Sequence, residues 1–302
     1  MKILISTRSA SGVHSAKLAS FAQGVTVCGD EAVLDTDDSQ NCDLAVIYGS
    51  VKPHRGRAEQ VAKTKIVKQF KKFVQIETQL VGRRMNADAN EFRVGVDGFM
   101  WDTADWGFAH TDQQRTKHFF NRFDYPKREQ WNTAGEHILI CMQKYGDASL
   151  GTVDTYAWCM DTVTELRKHT DRKIVVRPHP IYRKKDLMEQ LRTTLLRLPN
   201  VEWRNTDIKE HGEPDIAQDL ENCWCTVTYT SGSAVDSVLQ GVPNIAMGTG
   251  NMAWPVSSHS LSDIENPHRG DKTDWLNKLA LCQWSTKEFN SGECWKHIKK
   301  SL

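Results

Sequence analysis

Residues 229–243, YTSGSAVDSVLQGVP, join the end of a predicted strand to the start of a predicted helix through a turn of small residues. The turn consists of Thr230, Ser231, Gly232 and Ser233. The first N–H groups of a helix have no partner inside it, and the helix dipole is positive there, so this turn predicts an anion-binding site. Asp236 follows one turn later. It could accept hydrogen bonds from a ribose diol, or it could cap the helix start together with Ser233.

A second candidate site directly follows the predicted strand KIVV, in the sequence Arg177-Pro178-His179-Pro180. Ligands bind beyond the carboxyl ends of the strands in an open parallel sheet. The two prolines hold Arg177 and His179 in extended conformations, and both side chains can bind phosphate oxygens. These residues therefore predict a further anion contact, and a surface arginine–histidine pair without a ligand is the alternative.

Two carboxylates in the first half of the chain could act as a general base that takes a proton from a hydroxyl. Glu77 ends the predicted strand FVQIE, and Asp97 lies in FRVGVDGF between Val96 and Gly98. Asp97 has a structural alternative, because Asp-Gly is a favoured pair in tight hairpin turns. Either Glu77 or Asp97 is the candidate base.

Two further motifs have mainly structural interpretations. Residues 146–149, GDAS, follow the predicted strand HILICMQ and could face a ligand, but an N-cap at Asp147 or Ser149 is favoured. Cys223 and Cys225 are expected on one face of a strand. No second cysteine pair with zinc-site spacing is present, so small buried side chains are favoured over a metal site.

Basic residues cluster in the first half of the chain, and their simplest interpretation is a solvated helix face with flanking loops. The alternative is a surface that follows the phosphates of a nucleic acid. Aromatic residues between positions 101 and 131 could then stack on a base or act as a wedge beside a flipped one. The cluster comprises Arg55, Arg57, Lys63, Lys65, Lys68, Lys71, Lys72, Arg83 and Arg84.

The composition bounds the class of protein. The 302 residues suffice for two domains, and 39% hydrophobic and 25% charged residues are typical of a soluble globular protein. A formal net charge of +1 gives no overall signature of nucleic-acid binding. No apolar run approaches the roughly 18 residues of a membrane span, and MKILIST is predicted to be a strand instead of a signal peptide. We therefore expect a cytoplasmic protein with reduced cysteines.

Short apolar strands alternate with helices in both halves of the chain, which predicts parallel sheets with helices on both faces. In the first half, strands are expected at 2–6, 25–28, 43–48 and 73–77, with helices at 9–24, ended by Gly24, and at 59–73. In the second half, strands are expected at 137–142, 173–176, 201–203, 223–229 and 244–247, with helices at 153–168 and 184–197. Residues 272–302 are expected to be helical.

The turn at 230–233, with Asp236 after it and Gly241-Val242-Pro243 at the helix end, resembles the donor-binding motif of GT-B glycosyltransferases. Together with RPHP upstream, it is similar to capsule-type enzymes such as the Kdo transferases and to related phage-encoded DNA-modifying glycosyltransferases. The resemblance implies an α/β fold of two Rossmann-like domains with an interdomain cleft. It also implies that Arg177, His179 and the turn bind the donor phosphates and that Asp236 binds the ribose.

On this resemblance, residues 1–135 form an acceptor-binding domain, residues 136–280 bind a nucleotide sugar, and residues 281–302 are a helical tail that packs back on the first domain. The expected reaction moves a sugar, with a UDP-sugar as the favoured donor, onto 5-hydroxymethylcytosine or a similar modified base in double-stranded phage DNA. The expected DNA contacts are Arg55, Arg57, Lys68, Lys72, Arg83 and Arg84.

Two alternatives remain open. One is a glycosyltransferase that builds capsule or another surface polysaccharide, and the other is a non-catalytic nucleotide-binding protein on the same scaffold. A monomer is expected. No metal ion is expected, because Arg177, His179 and the helix terminus could neutralise the leaving diphosphate. With DNA as the acceptor, the protein would act in the cytoplasm of a phage-infected bacterium.

Overall fold

The computed structural model describes residues 1–10, 13–35, 41–52, 57–82, 90–110, 113–123, 130–181, 184–206 and 215–302. The chain divides into two compact units. Unit 1 comprises Met1–Phe99, Thr103–Tyr125 and Thr273–Leu302, and unit 2 comprises Met100–Asp102 and Pro126–Lys272. Unit 1 is therefore built from segments that precede and follow unit 2 in the sequence.

Strands and helices alternate through both units. The described strands are β1 (Lys2–Ser6), β2 (Glu31–Asp35), β3 (Leu44–Tyr48), β4 (Phe73–Thr78), β5 (Glu91–Val96), β6 (His137–Cys141), β7 (Lys173–Arg177), β8 (Val201–Trp203), β9 (Cys223–Thr228), β10 (Asn244–Ala246) and β11 (Gln283–Ser285). The described helices are α1 (Val13–Val27), α2 (Ala58–Gln69), α3 (Gln113–Asn121), α4 (Thr155–Leu166), α5 (Lys185–Leu195), α6 (Ile216–Leu220), α7 (Ser233–Leu239), α8 (Thr273–Cys282), α9 (Thr286–Asn290) and α10 (Glu293–Ile298). In these described ranges, no helix combines the length and the apolar character needed to cross a membrane.

The sheet of unit 1 has the strand order β11-β5-β4-β3-β1-β2. Strands β1 to β4 run parallel, whereas β5 is antiparallel to β4 and β11 is antiparallel to β5. All five residues of β3 are buried, as expected for a central strand that is covered on both faces. Residues 283–285 were expected to be helical, but they form β11 because β5 offers them backbone hydrogen-bond partners.

Helix α1 extends beyond the end expected from the sequence. It continues to Val27, so Gly24 lies inside the helix and residues 25–28 do not form the expected strand. The second strand is β2. A Cβ on Gly24 would lie 1.9 Å from the backbone oxygen of Phe289. Gly24 therefore allows α9 to pack closely on α1 and does not end the helix.

The C-terminal helices complete the core of unit 1. Phe289 and Trp295 each pack edge-on against Phe21 of α1, with ring centroids 5.3 Å and 6.0 Å away. Trp295 Nε1 donates a hydrogen bond of 2.8 Å to Asp30 Oδ2, and Lys299 Nζ donates to the same oxygen at 2.7 Å. Burial alone would raise the pKa of Asp30, but the hydrogen bonds from Lys299, the N-terminal ammonium and Trp295 lower it below its usual range. These contacts tie the C-terminal segment to the residue that precedes β2.

The sheet of unit 2 is parallel throughout its described strands, in the order β10-β9-β6-β7-β8. Apolar residues of β6, β7 and β9 are buried on both faces of this sheet. Parallel pairing places the carboxyl ends of β6, β7 and β9 along one edge, where ligands bind in folds of this kind. The segments that follow these strands are residues 142–149, 178–181 and 229–233.

Cys223 and Cys225 pack on opposite sides of β9, so the expectation that they share one face is wrong. His137 pairs with Cys223 whereas Ile138 pairs with Cys225, which shows an extra residue in β9 at this point. Such a bulge interrupts the alternation of side chains. Cys223 accordingly packs with Leu139, and Cys225 packs with Ile138. Both thiols are buried, and burial raises the pKa of each, as expected for small side chains in an apolar core.

Candidate functional site

The turn between β9 and α7 begins the helix without a side-chain cap. Gly232 is the N-cap residue, so Ser233 is the first helical residue and the capping interpretation of Ser233 with Asp236 is wrong. The hydroxyl of Ser231 accepts a hydrogen bond from Ser233 N–H at 3.3 Å and lies 3.2 Å from Ser233 Oγ. Two serine hydroxyls thus meet at the start of α7, together with the backbone of the turn.

Gln143 joins this turn to the segment that follows β6. Its Oε1 accepts a hydrogen bond of 2.8 Å from Thr230 N–H, and its Nε2 donates to Ser149 Oγ at 2.8 Å. Thr230 Oγ1 donates to the carbonyl oxygen of Ser149 at 3.0 Å. These bonds fix the two strand-end segments to each other. Gln143 was not singled out from the sequence, although it lies just beyond β6, where a parallel sheet places its binding residues.

Asp147 caps a short turn in the same segment. Its carboxylate accepts hydrogen bonds from Ser149 N–H at 3.0 Å and from Ser149 Oγ at 2.8 Å. The expected N-cap at Asp147 is confirmed. Because Ser149 also bonds with Gln143 and Thr230, this cap helps to hold the contact between the two segments.

A buried polar network supports the end of β9 beneath the turn. Thr228 Oγ1 donates to Asn244 Oδ1 at 3.0 Å. Asn251 Nδ2 donates to Thr228 Oγ1 at 2.9 Å and to the carbonyl oxygen of Tyr229 at 3.0 Å. Thr228, Asn244 and Asn251 are fully buried, and buried polar groups that are satisfied in this way favour one conformation. The core of unit 2 therefore holds the turn at 230–233 in place.

Arg177 lies in a buried ion pair that the sequence did not reveal. Its Nε donates to Asp219 Oδ2 at 2.7 Å, and the two side chains are 6% and 4% exposed. Arg204 also pairs with Asp219. Arg177 is the last residue of β7, at the expected edge of the sheet, but its guanidinium is bonded to a carboxylate of the protein. The expected phosphate contact of Arg177 stays a prediction.

His179 is oriented by the backbone two residues later. Its Nδ1 lies 3.0 Å from Ile181 N and 3.2 Å from Ile181 O. In the shorter contact Nδ1 accepts from the N–H group, and a neutral ring then carries its proton on Nε2. This tautomer can donate from Nε2 to an anionic oxygen, which is the role that the sequence predicts for His179.

Glu77 lies near the carboxyl end of β4, beside basic side chains from two helices. Its Oε2 accepts from Thr78 N–H at 3.1 Å. Burial lowers the pKa of Lys63 on α2 and of His14 on α1, and the charge of Glu77 opposes this effect for both. The ring of His14 stacks on Tyr48, with centroids 4.3 Å apart. His14 and Tyr48 were not found from the sequence, because they come from distant segments with no common motif.

Asp97 lies beside the amino end of β4, whereas Glu77 lies near its carboxyl end. Its N–H donates to Phe73 O at 2.8 Å, and its Oδ1 accepts from Phe73 N–H at 2.9 Å. Its φ of 61° is typical of a turn. A strand rises about 3.3 Å per residue, so the length of β4 from Phe73 to Glu77 separates the two candidates by roughly 13 Å. This geometry favours the turn interpretation of Asp97 and leaves Glu77 as the candidate base.

The basic residues of unit 1 differ in their surroundings. Lys72 Nζ donates to the backbone oxygen of Ser301 at 2.8 Å, and Lys63 is buried. Arg57 and Lys68 are exposed. Three of the expected DNA contacts lie outside the described residues, namely Arg55, Arg83 and Arg84. The described part of the expected DNA surface therefore presents Arg57 and Lys68 to solvent.

No protein-family model and no curated protein matches this chain. Among solved structures, the chain is similar to the beta Kdo 2,4 transferase of KpsC from Thermosulfurimonas dismutans, with a TM-score of 0.52 and 13% identity over 93% of this chain and 90% of that chain. It is also similar to the beta Kdo 2,7 transferase of KpsC from the same organism, with a TM-score of 0.53 and 11% identity over 100% of this chain and 99% of that chain. At 11–13% identity, this similarity is evidence for the fold alone. The chain has the GT-B fold, with two Rossmann-like α/β units.

Proposed function

We propose that this chain is a glycosyltransferase that moves a sugar from a nucleotide-sugar donor onto an acceptor hydroxyl. The observation that carries this proposal is the pair of strand-end segments in unit 2 that Gln143 joins through Thr230 and Ser149. They lie at the sheet edge where parallel α/β folds bind their ligands. The likeness of the whole chain to two Kdo transferases supports the same class of reaction.

In this proposal the turn at 230–233 and His179 bind the diphosphate of the donor. Serine hydroxyls, backbone N–H groups and Nε2 of His179 can donate hydrogen bonds to phosphate oxygens as charge develops on the leaving nucleotide. Asp236, one turn into α7, accepts from the ribose diol, and a UDP-sugar is the favoured donor. The pair of Arg177 with Asp219 anchors the end of the strand that leads to His179. In the described residues, no group of three or more His, Cys, Asp or Glu side chains is placed to hold a metal ion.

Glu77 is the proposed general base. The acceptor oxygen forms a bond to the anomeric carbon while the bond from that carbon to the donor phosphate breaks. The electron pair of the broken bond leaves with the nucleotide, and the hydroxyl proton goes to the carboxylate of Glu77.

Two classes of acceptor are supported by different observations. The exposed cations Arg57 and Lys68 favour a polyanion, so duplex phage DNA that contains 5-hydroxymethylcytosine is the first acceptor to test. The likeness to Kdo transferases favours a sugar hydroxyl of a surface polysaccharide as the second. Both acceptors would use the same donor site and the same base.

One incubation series separates these functions. The purified protein is mixed with UDP-glucose or another nucleotide sugar, and with hydroxymethylated duplex DNA, unmodified duplex DNA or a Kdo-terminated oligosaccharide. Products are identified by mass. Transfer to hydroxymethylated DNA alone supports the DNA acceptor, whereas transfer to the oligosaccharide supports the polysaccharide acceptor. Donor binding without transfer to any acceptor would contradict the proposed enzyme and favour a nucleotide-binding protein.

Variants test the assigned residues in the active protein. His179→Ala and Asp236→Ala should each raise the donor KM by roughly tenfold or more, because each removes a charge-assisted hydrogen bond. Glu77→Gln should lower kcat by roughly a hundredfold or more and leave donor binding intact. His169→Ala is the matched control, since His169 is exposed and pairs with Glu165 on α4. An unchanged donor KM in both donor-site variants would show that the site is misplaced.

A further inference from the structure

Lys63 differs from the other lysines of α2 because its side chain is buried. Lys63 is 5% exposed, whereas Lys65 and Lys68 on the same helix are exposed. A lysine is rarely buried unless a carboxylate pairs with it. Within the described ranges, no ion pair joins Lys63 to another residue. The position of this ammonium group therefore needs an explanation other than a structural salt bridge.

Gly49 provides the space in front of this ammonium group. Gly49 follows β3 and has a φ of +77°. A Cβ at Gly49 would lie 2.9 Å from Lys63 Nζ and 4.0 Å from Glu77 Oε1. The absent side chain thus leaves a space close to both an ammonium group and a carboxylate. Gly49 is itself partly exposed, so this space lies at the surface of unit 1.

We propose that Lys63, Gly49 and Glu77 form the subsite that binds the reacting hydroxyl group of the acceptor. A hydroxyl accepts a hydrogen bond through its oxygen and donates one through its proton. Its oxygen accepts from Lys63 Nζ, and its proton is donated to Glu77 Oε1. This inference rests on the proposed function and adds to Glu77 a second residue that touches the acceptor.

The charges around the subsite agree with this assignment. An ammonium group and a carboxylate supply the donor and the acceptor that one hydroxyl group needs. Burial lowers the pKa of Lys63, while the charges of Glu77 and Glu59 oppose that effect. The charged ammonium group is a stronger donor than the neutral amine, so activity should fall on the alkaline side of the pH profile as Lys63 loses its proton. Among the described residues, His14 and Tyr48 interact electrostatically with Glu77, Lys52 interacts with Lys63, and Lys17 interacts with His14.

The first test replaces Lys63 with methionine, which has a similar length and no charge. At saturating UDP-sugar, Lys63→Met should raise the KM of the accepted substrate about tenfold or more and leave the donor KM unchanged. It should also abolish the alkaline loss of activity. Lys65→Met, on the exposed side of the same helix, is the matched control and should change none of these values. An acceptor KM and a pH profile equal to those of the wild type would overturn the subsite.

A second measurement does not depend on turnover. The NMR resonance of Lys63 Cε is identified by its absence from Lys63→Met and is followed while methyl α-D-glucoside is added as a neutral hydroxyl probe. We expect a saturable shift in the wild-type protein and none in Gly49→Ala, whose folding is verified by circular dichroism, because the new methyl group occupies the space.

The two measurements distinguish failure of the subsite from failure of the proposed function. A saturable shift without transfer to any acceptor supports the subsite and contradicts the glycosyltransferase. No shift in the wild-type protein overturns the subsite, and the proposed function then stands or falls on transfer alone.

Discussion

The buried ion pair at the end of β7 leads to a stability prediction. Asp219 is 4% exposed and binds Arg177, which is 6% exposed, whereas its second partner Arg204 is 48% exposed and can turn to solvent. Asp219→Ala would leave the Arg177 guanidinium buried with its carboxylate partner removed. Loss of one partner from a buried ion pair costs about 3–5 kcal/mol. We therefore expect the free energy of unfolding to fall by about 3–5 kcal/mol in Asp219→Ala.

Urea unfolding followed by tryptophan fluorescence measures this change. Glu265→Ala is the matched control, because Glu265 pairs with Arg172 on the surface of the same unit, with exposures of 48% and 31%. A surface pair of this kind contributes only about 0–1 kcal/mol. If Asp219→Ala loses no more stability than Glu265→Ala, the argument from burial is refuted.

A double variant separates the cost of the unpaired charge from the loss of packing. Arg177→Met combined with Asp219→Leu removes both charges and should recover much of the stability lost in Asp219→Ala, because apolar replacements of buried pairs are often neutral. The same protein shows whether Arg177 binds the donor. A raised donor KM in the stable double variant would support the phosphate contact, and an unchanged KM would confine Arg177 to the structural pair.

Two further predictions concern unit 1. Gly24→Ala should lower the melting temperature, because the new Cβ would lie 1.9 Å from Phe289 O. The control is Ala19→Gly, at an exposed position on the same helix, which should lose only about 1 kcal/mol of stability through helix propensity. A smaller decrease in melting temperature in Gly24→Ala than in Ala19→Gly would mean that α9 moves away from α1 at little cost in free energy. Asp30→Asn should lose about 1.5–3 kcal/mol at neutral pH, because it weakens the charged hydrogen bonds that lower the pKa of Asp30 from 3.8. That stabilisation is present above pH 3.8 and disappears as the pH falls through the lower folded-state pKa. The free energy of unfolding should therefore change less with pH in the acid range in Asp30→Asn than in the wild-type protein. Equal pH dependence in the two proteins would contradict this argument.

The parallel strands could be predicted well from the sequence, because each is a short apolar run between polar segments. The bounds of β1 and β8 are as expected, and those of β3, β4, β6, β7, β9 and β10 differ from the expectation by one residue. The predicted strand at residues 25–28 is wrong, because this short run, VTVC, fits a strand and the last turn of a helix equally well. Only the packing of α9 against Gly24 distinguishes the two, and that contact joins residues far apart in the chain.

The candidate site was only partly predictable, because several of its contacts join residues far apart in the chain. The turn at 230–233 is a local pattern, and its place at a strand end follows from the parallel sheet. The bonds of Gln143 with Thr230 and of Arg177 with Asp219 join residues 87 and 42 positions apart, and no local pattern specifies them. The one-residue bulge in β9 also depends on its pairing with β6, so alternation within the strand could not reveal it.

The discontinuity of unit 1 has a consequence for synthesis. Phe289 and Trp295 belong to the same core as β1 and β3, but they are translated only after unit 2. At about 5–20 residues per second, translation of the roughly 150 residues of unit 2 delays completion of unit 1 by roughly 8–30 s. During that interval the main segment of unit 2 can fold on the ribosome, while Phe21 and the apolar residues around it lack the cover that Phe289 and Trp295 provide. Slower translation should therefore lengthen the period in which nascent chains need a chaperone.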